Sequence, residues 1–105
     1  KILVTGYGTY VRPNGCYPLI PVWAVDANYL QATIDRLNAM LAAQSAAHGA
    51  QYVDLRTPSI GHDACAPVSQ RWLEGLIPSS VAAPLHPSAR GMAAFGTIVA
   101  AAAAS

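Results

Sequence analysis

The chain opens on an apolar run, "KILVTGY", with branched side chains at its centre and Gly6 and Gly8 at its close. That pattern predicts a short buried strand, parallel to its neighbours and covered on both faces. "GTYVRPNGCYPLIPVW" follows, punctuated by Pro13, Asn14, Gly15, Pro18 and Pro21. These residues predict a loop with turn chemistry, long for a connection. A long loop at the C-terminal end of a strand is a common place for function. Leu30, Ile34, Leu37 and Leu41 then recur at spacings of four, three and four, with Ala27, Ala42 and Ala46 filling in. This is one apolar face of an amphipathic helix. Asp26 stands where an N-cap is expected, and His48-Gly49 stands where a helix ends.

"QYVDL" reads as a second strand, so the first half is a strand, a helix and a strand. Such a βαβ unit crosses over right-handed. From Arg56 to Pro87 the pattern is irregular, with a short helical turn expected around Trp72 and Leu73. A last helix is expected from about Ser88 to Ala103, with Met92, Phe95 and Val99 as its buried stripe and Ile98 beside them. Two strands do not bury their own edges, and a parallel pair covered on both faces calls for more strands beside it. The expectation is therefore a piece of a larger α/β domain whose remaining strands lie upstream of Lys1.

Composition narrows this reading. Of 105 residues, 53% are hydrophobic and 10% charged, which excludes a disordered segment and leaves room for one small domain. A net charge of +1, with no clustered Lys or Arg, argues against nucleic-acid binding. The tail "MAAFGTIVAAAAAS" is too short and too weakly apolar for a membrane span. Lys1 leads straight into the first strand rather than into a signal peptide. The chain therefore either never had a targeting segment or begins downstream of one.

Cys16 and Cys65 stand far apart, outside any C-x-x-C pair, so zinc is disfavoured. They are either a disulfide, which implies an oxidising compartment, or a source of a reactive thiol beside a histidine.

Three histidines are candidates for chemistry. His86 sits in "PLHPSARG", followed by Pro87, at the start of the last helix. The N-terminal end of a helix disfavours positive charge and so favours the neutral imidazole that a general base requires. Equally, His86 could simply open the helix. His62 and Asp63 in "SIGHDAC" form either an acid/base pair or the shape of a cysteine loop. His48 stands at a helix C-terminus, which welcomes a cation. Trp72, Tyr7, Tyr10, Tyr17 and Trp23 are either packing residues or the walls of an apolar groove. No serine stands in a G-x-S-x-G elbow, no carboxylates pair as in a glycosidase, and no glycine-rich loop cradles phosphate.

At "PSIGHDACAP", "RWLEGLIP" and "APLHPSARGMAAF" the chain resembles the C-terminal part of secreted actinobacterial SGNH/GDSL-type esterases and lipases, and the resemblance extends over essentially the whole chain. It implies that residues 1–105 are the C-terminal portion of a single SGNH hydrolase domain. The fold implied is a fragment of a three-layer α/β/α sandwich with a mostly parallel sheet, its N-terminal strands missing. It implies ester hydrolysis by a serine and a histidine, with no metal and no cofactor. The serine, and the glycine and asparagine of the oxyanion hole, belong to earlier blocks, and the histidine block maps onto His86.

Many members carry an aspartate three residues before that histidine, where this chain has Ala83. Some orient the ring through a main-chain carbonyl instead. Here the expected partner is the carbonyl of Ala83 or a neighbour, with Asp63 a weaker substitute. Cys16 and Cys65 match a disulfide of these relatives. The partners implied are the N-terminal segment carrying the serine and a small ester or lipid, and the location implied is extracellular. A non-catalytic binding module, holding lipid or carbohydrate on the loop from Tyr7 to Trp23, is the other reading. A purely structural interaction fragment is a third.

Overall fold

The computed structural model describes residues 1–105. Two short strands, β1 (Leu3–Thr5) and β2 (Gln51–Val53), pair in parallel with Leu3 opposite Gln51, Val4 opposite Tyr52 and Thr5 opposite Val53. Helix α1 (Ala24–Ala47) joins them, and helix α2 (Ala89–Ala104) closes the chain. Val53 and Leu55 form a core with Leu73 and Phe95, against which Leu3, Ile98 and Val99 pack. Tyr52 points the other way: its hydroxyl and the Asn38 amide of α1 both crowd Gly6. Successive strand side chains alternate between faces. The two helices therefore cover opposite faces, giving the three layers of an α/β/α sandwich around a parallel sheet.

The buried face of α1 is not the expected leucine stripe. Leu30, Ile34, Leu37 and Leu41 are half-buried, while Ala27, Gln31, Asn38 and Ser45 are buried. The reason lies in the irregular backbone after β1, whose peptide groups have no sheet partner and must be satisfied. Asn38 accepts from the Tyr7 N–H at 2.8 Å and donates to the Tyr7 carbonyl at 2.9 Å. Gln31 Oε1 accepts from the N–H groups of Tyr10 and Val11 at 2.8 and 3.2 Å. Amides thus replace apolar side chains where the helix meets a loop.

The helix also begins earlier than its capping signal. Trp23 is the N-cap, without a side-chain cap bond, and Asp26 lies in the first turn, where its charge complements the helix dipole. At the far end Gly49 adopts φ 72 and the Ala50 N–H reaches the Ser45 carbonyl at 2.9 Å, a Schellman close.

Helix α2 starts on a built foundation. Ser88 accepts from the Gly91 N–H at 3.1 Å as N-cap, and its hydroxyl donates to the Arg71 carbonyl at 3.0 Å. Gly91 lies so close to Trp72 that an added Cβ would stand 2.1 Å from the Trp72 carbonyl oxygen. The expected helical turn at Trp72–Leu73 is instead a 3₁₀ turn at Val68–Gln70, and Leu73 forms an antiparallel bridge with Pro87. Trp72 and Leu73 are extended because their backbone is used to receive the chain around His86. Pro87 accordingly lies just outside α2. Of the predicted stripe, Phe95 is buried and Met92 is 59% exposed.

A second small core holds the loop before α1. Cys16 and Cys65 are joined by a disulfide, and Ile20 packs on Ala64 and Cys65. Beside it, Arg12 clamps buried Asp63 through two hydrogen bonds of 3.1 and 2.8 Å.

Candidate active site

A cleft of about 530 Å³ opens at Thr5, the C-terminal end of β1, between the loop that follows and helix α2. Open α/β sheets place ligands at this end of their strands. Its walls are apolar: Leu55, Leu73, Met92, Phe95 and Val99, with Tyr7 and Tyr10 on the loop side. Gly8 lets the loop approach closely, since a Cβ there would meet Phe95, Ser59 and Leu73 at 3.1 to 3.2 Å. No carboxylate, ammonium or guanidinium lines the cleft. Burial, helped by neighbouring Tyr7, holds the Tyr10 phenol above its ordinary value, so it stays neutral. His86 lines this cleft and is its one imidazole.

The ring of His86 is fixed by its own turn. Nδ1 lies 2.9 Å from the Pro84 carbonyl oxygen. A carbonyl only accepts, so Nδ1 carries the proton, and the tautomer available to the uncharged ring is the one with its lone pair on Nε2. Of the carbonyls expected here, that of Ala83 or a neighbour, the ring takes the neighbour's, Pro84, and not that of Ala83. The Ala83 carbonyl is taken by the main-chain N–H of His86 at 3.2 Å. That bond closes a four-residue turn with proline second and a positive φ of 62 at Leu85 third, the signature of a type II turn. The central peptide of such a turn is flipped, which frees the Pro84 oxygen for the ring. Leucine in this left-handed region is strained, and surrounding structure must hold it there. It does so: the Leu85 N–H donates to the Gly75 carbonyl at 3.1 Å, and the Glu74 N–H donates to the His86 carbonyl at 3.0 Å.

The other candidates sit elsewhere. Asp63 is engaged by Arg12 rather than by His86. His62 stacks on Trp72 with ring centroids 4.1 Å apart, and its Nδ1 meets the Gln70 carbonyl at 2.7 Å. Trp72 in turn meets Phe95 edge-on, so His62 buttresses a cleft wall from behind. His48 binds the Gln44 carbonyl at the end of α1. Tyr17 and Trp23 stack on each other at 4.7 Å on an exposed surface. No serine lines the cleft, and the hydroxyls of Ser59, Ser79, Ser80 and Ser88 are committed elsewhere: Ser59 donates to the Leu55 carbonyl, Ser88 to Arg71, and Ser79 and Ser80 to Glu74.

Sequence reasoning passed over Glu74. Its carboxylate is wholly buried, accepting from the Ser79 N–H at 3.0 Å and from the hydroxyls of Ser79 and Ser80 at 2.7 and 2.6 Å. Arg71 stands 3.7 Å away. Burial pushes this carboxyl up, but the Ser80 and Ser79 hydrogen bonds and the Arg71 charge outweigh it and hold Glu74 below its ordinary value. The signal was there: Glu74 is the one charged residue between Trp72 and Ala89.

Fold and cleft together define an α/β/α layered protein with an apolar cleft at the C-terminal end of β1 and a histidine at its rim. The GDSL-like Lipase/Acylhydrolase family profile matches residues 2–94. Lipase 2 of Streptomyces coelicolor is 38% identical over 76 residues, covering 72% of this chain and 26% of that protein. The crystal structure of an extracellular lipase from Streptomyces rimosus superposes with a TM-score of 0.82 at 24% identity, over 96% of this chain and 42% of that one. That of phospholipase A1 from Streptomyces albidoflavus gives 0.80 at 22% identity, over 94% and 41%. The chain belongs to the GDSL-like lipase/acylhydrolase family, and it spans less than half the length of each of these relatives.

Proposed function

We propose that this chain is the histidine-bearing portion of a secreted serine ester hydrolase, with His86 as general base and the nucleophilic serine supplied by polypeptide upstream of Lys1. The observation that carries this reading is the bond from His86 Nδ1 to the Pro84 carbonyl at the rim of an apolar cleft. It fixes the tautomer in which Nε2 takes a proton. Nε2 would accept the serine proton as the hydroxyl attacks an ester carbonyl. The Pro84 oxygen would steady the imidazolium, and the proton would pass to the leaving alcohol. Water repeats the cycle on the acyl-enzyme. Such acid–base work contributes typically about 10²–10⁴-fold.

The apolar walls suit the acyl chain of a small ester or lipid, and both solved relatives are named as lipid hydrolases. The disulfide supports an oxidising, extracellular location. No helix is long and apolar enough to cross a membrane.

The test is His86→Ala in the protein that includes the upstream segment, assayed on a soluble short-chain ester. A loss of about 10³-fold or more at unchanged stability is expected, within the range for losing a catalytic partner. Unchanged hydrolysis that a serine-directed phosphonate still inhibits would overturn it. Wild-type protein that takes up no phosphonate and hydrolyses nothing would favour the binding-module reading.

A further inference from the structure

Residues 73–75 and 85–87 run side by side, joined by the Leu73–Pro87 bridge and by the hydrogen bonds from Glu74 N–H to His86 and from Leu85 N–H to Gly75. The segment between them, Leu76 to Pro84, is a loop whose last residue supplies the carbonyl that holds the imidazole. Nothing apolar anchors its tip: Ile77 is 71% exposed and Val81 fully so. What holds the loop from inside is the Glu74 carboxylate, which takes three hydrogen bonds from Ser79 and Ser80. The Ser80 hydroxyl passes the tether on to the Ala82 N–H at 3.3 Å, one residue from the turn that ends at His86. Arg71 completes the cluster, donating to Ser79 at 3.2 Å and, from the other side of its guanidinium, to the Ala66 carbonyl at 3.0 Å beside the disulfide.

A buried carboxylate is costly unless its hydrogen bonds are made. This one is spent on an otherwise loose loop, and its own peptide N–H grips the His86 carbonyl. We infer that Glu74 is a positioning residue for His86, its carboxylate fixing the loop so that the Pro84 carbonyl orients the imidazole at the cleft. It touches no substrate. The inference rests on the reading of His86 as general base for its kinetic consequence, but not for the coupling of Glu74 to the ring.

Two measurements test it. In the protein with its upstream segment, Glu74→Gln keeps side-chain size but removes the charge and one acceptor. On a soluble ester kcat should fall about 10- to 100-fold while KM stays within about twofold, the scale of a small misplacement of a reacting group. Independently of catalysis, the nitrogen-bound Nδ1 proton of His86 should give a distinct NMR signal in the wild type that is lost or broadened in Glu74→Gln. Ser79→Ala/Ser80→Ala, on the exposed loop, should shift both readouts the same way and serves if Glu74→Gln does not fold. A folded variant that keeps both its kcat and its Nδ1 proton signal would overturn the inference. If His86→Ala leaves hydrolysis intact, the general-base reading has failed, and the NMR arm still decides whether Glu74 orders the ring.

Discussion

Asn38, in the second half of α1, holds the peptide of Tyr7 at both ends, accepting from its N–H and donating to its carbonyl. Tyr7 is the first aromatic residue after β1 and lines the cleft. A helix side chain thus sets the conformation of a cleft wall. Asn38→Leu would make α1 more apolar, yet it would leave two backbone groups without partners. Each such loss costs about 1–3 kcal/mol. Urea unfolding of the variant should show a stability loss of about 2–4 kcal/mol, with a lower midpoint.

The same pair shows why part of this molecule could be read from the sequence and part could not. Apolar runs and helical spacing pointed to both strands and both helices, because those elements bury side chains in a periodic way. The inward face of α1 escaped, since periodicity counts apolar residues and this face is set by the backbone of residues 7–11. The place of His86 just before the last helix was legible in "LHPSARG", but the cleft it lines was not. The expectation of an Ala83 or neighbouring carbonyl could not choose between Ala83 and Pro84, because the type II turn at Leu85 has leucine where glycine would have signalled it. Glu74 was missed because its partners, Ser79 and Ser80, are ordinary exposed loop residues until the fold lays their loop over the buried carboxylate.

The Cys16–Cys65 bond closes a loop with a sequence separation of 49. On the chain-entropy model a cross-link of that span stabilises by about 4 kcal/mol. Cys16→Ala/Cys65→Ala, or reduction by a thiol, should lower stability by up to that amount. Arg12–Asp63 still tethers the same two loops, so Arg12→Ala should cost more in the reduced protein than in the oxidised one, the mark of coupled sites. A double-mutant cycle by chemical denaturation checks this.

Glu74 and Asp35 make stability depend on acid. Glu74 is held below its ordinary value by Ser80, Ser79 and Arg71 against the effect of burial. Asp35 is held low chiefly by its hydrogen bond from Arg56, at 2.8 Å. Between the depressed folded value and the ordinary one, the unfolded chain binds more protons, so stability rises with pH there. Both contributions are complete above the ordinary carboxylate values of about 4 and are lost as pH falls through the depressed ones. The melting temperature should therefore be insensitive to these two groups from about pH 6 upward and should drop on acidification below about pH 4. In Glu74→Gln that acid slope should be shallower.

Two glycines in α2 should respond to the same substitution with opposite signs. At Gly91 a methyl group would stand 2.1 Å from the Trp72 carbonyl oxygen, a backbone atom that cannot swing aside. Gly91→Ala must push the first turn of α2 away from residue 72, and with it Pro87 and Ser88, which the Trp72 carbonyl holds through the Ser88 N–H at 2.9 Å. Overpacking of this kind costs about 1–3 kcal/mol. At Gly96 an added Cβ meets nothing within 4 Å. Replacing a glycine inside a helix by alanine removes backbone entropy from the unfolded state and adds about 0.5–1 kcal/mol. Gly96 also lines the cleft, so the stabilising methyl would take up space there. Gly96→Ala should raise the melting temperature and, on the proposed function and in the protein with its upstream segment, lower kcat/KM for long acyl chains more than for acetyl esters. Gly91→Ala should lower the melting temperature and, on the same reading, reduce hydrolysis of both, because it moves the histidine rather than the wall. Melting curves and a chain-length series for the two variants separate these outcomes.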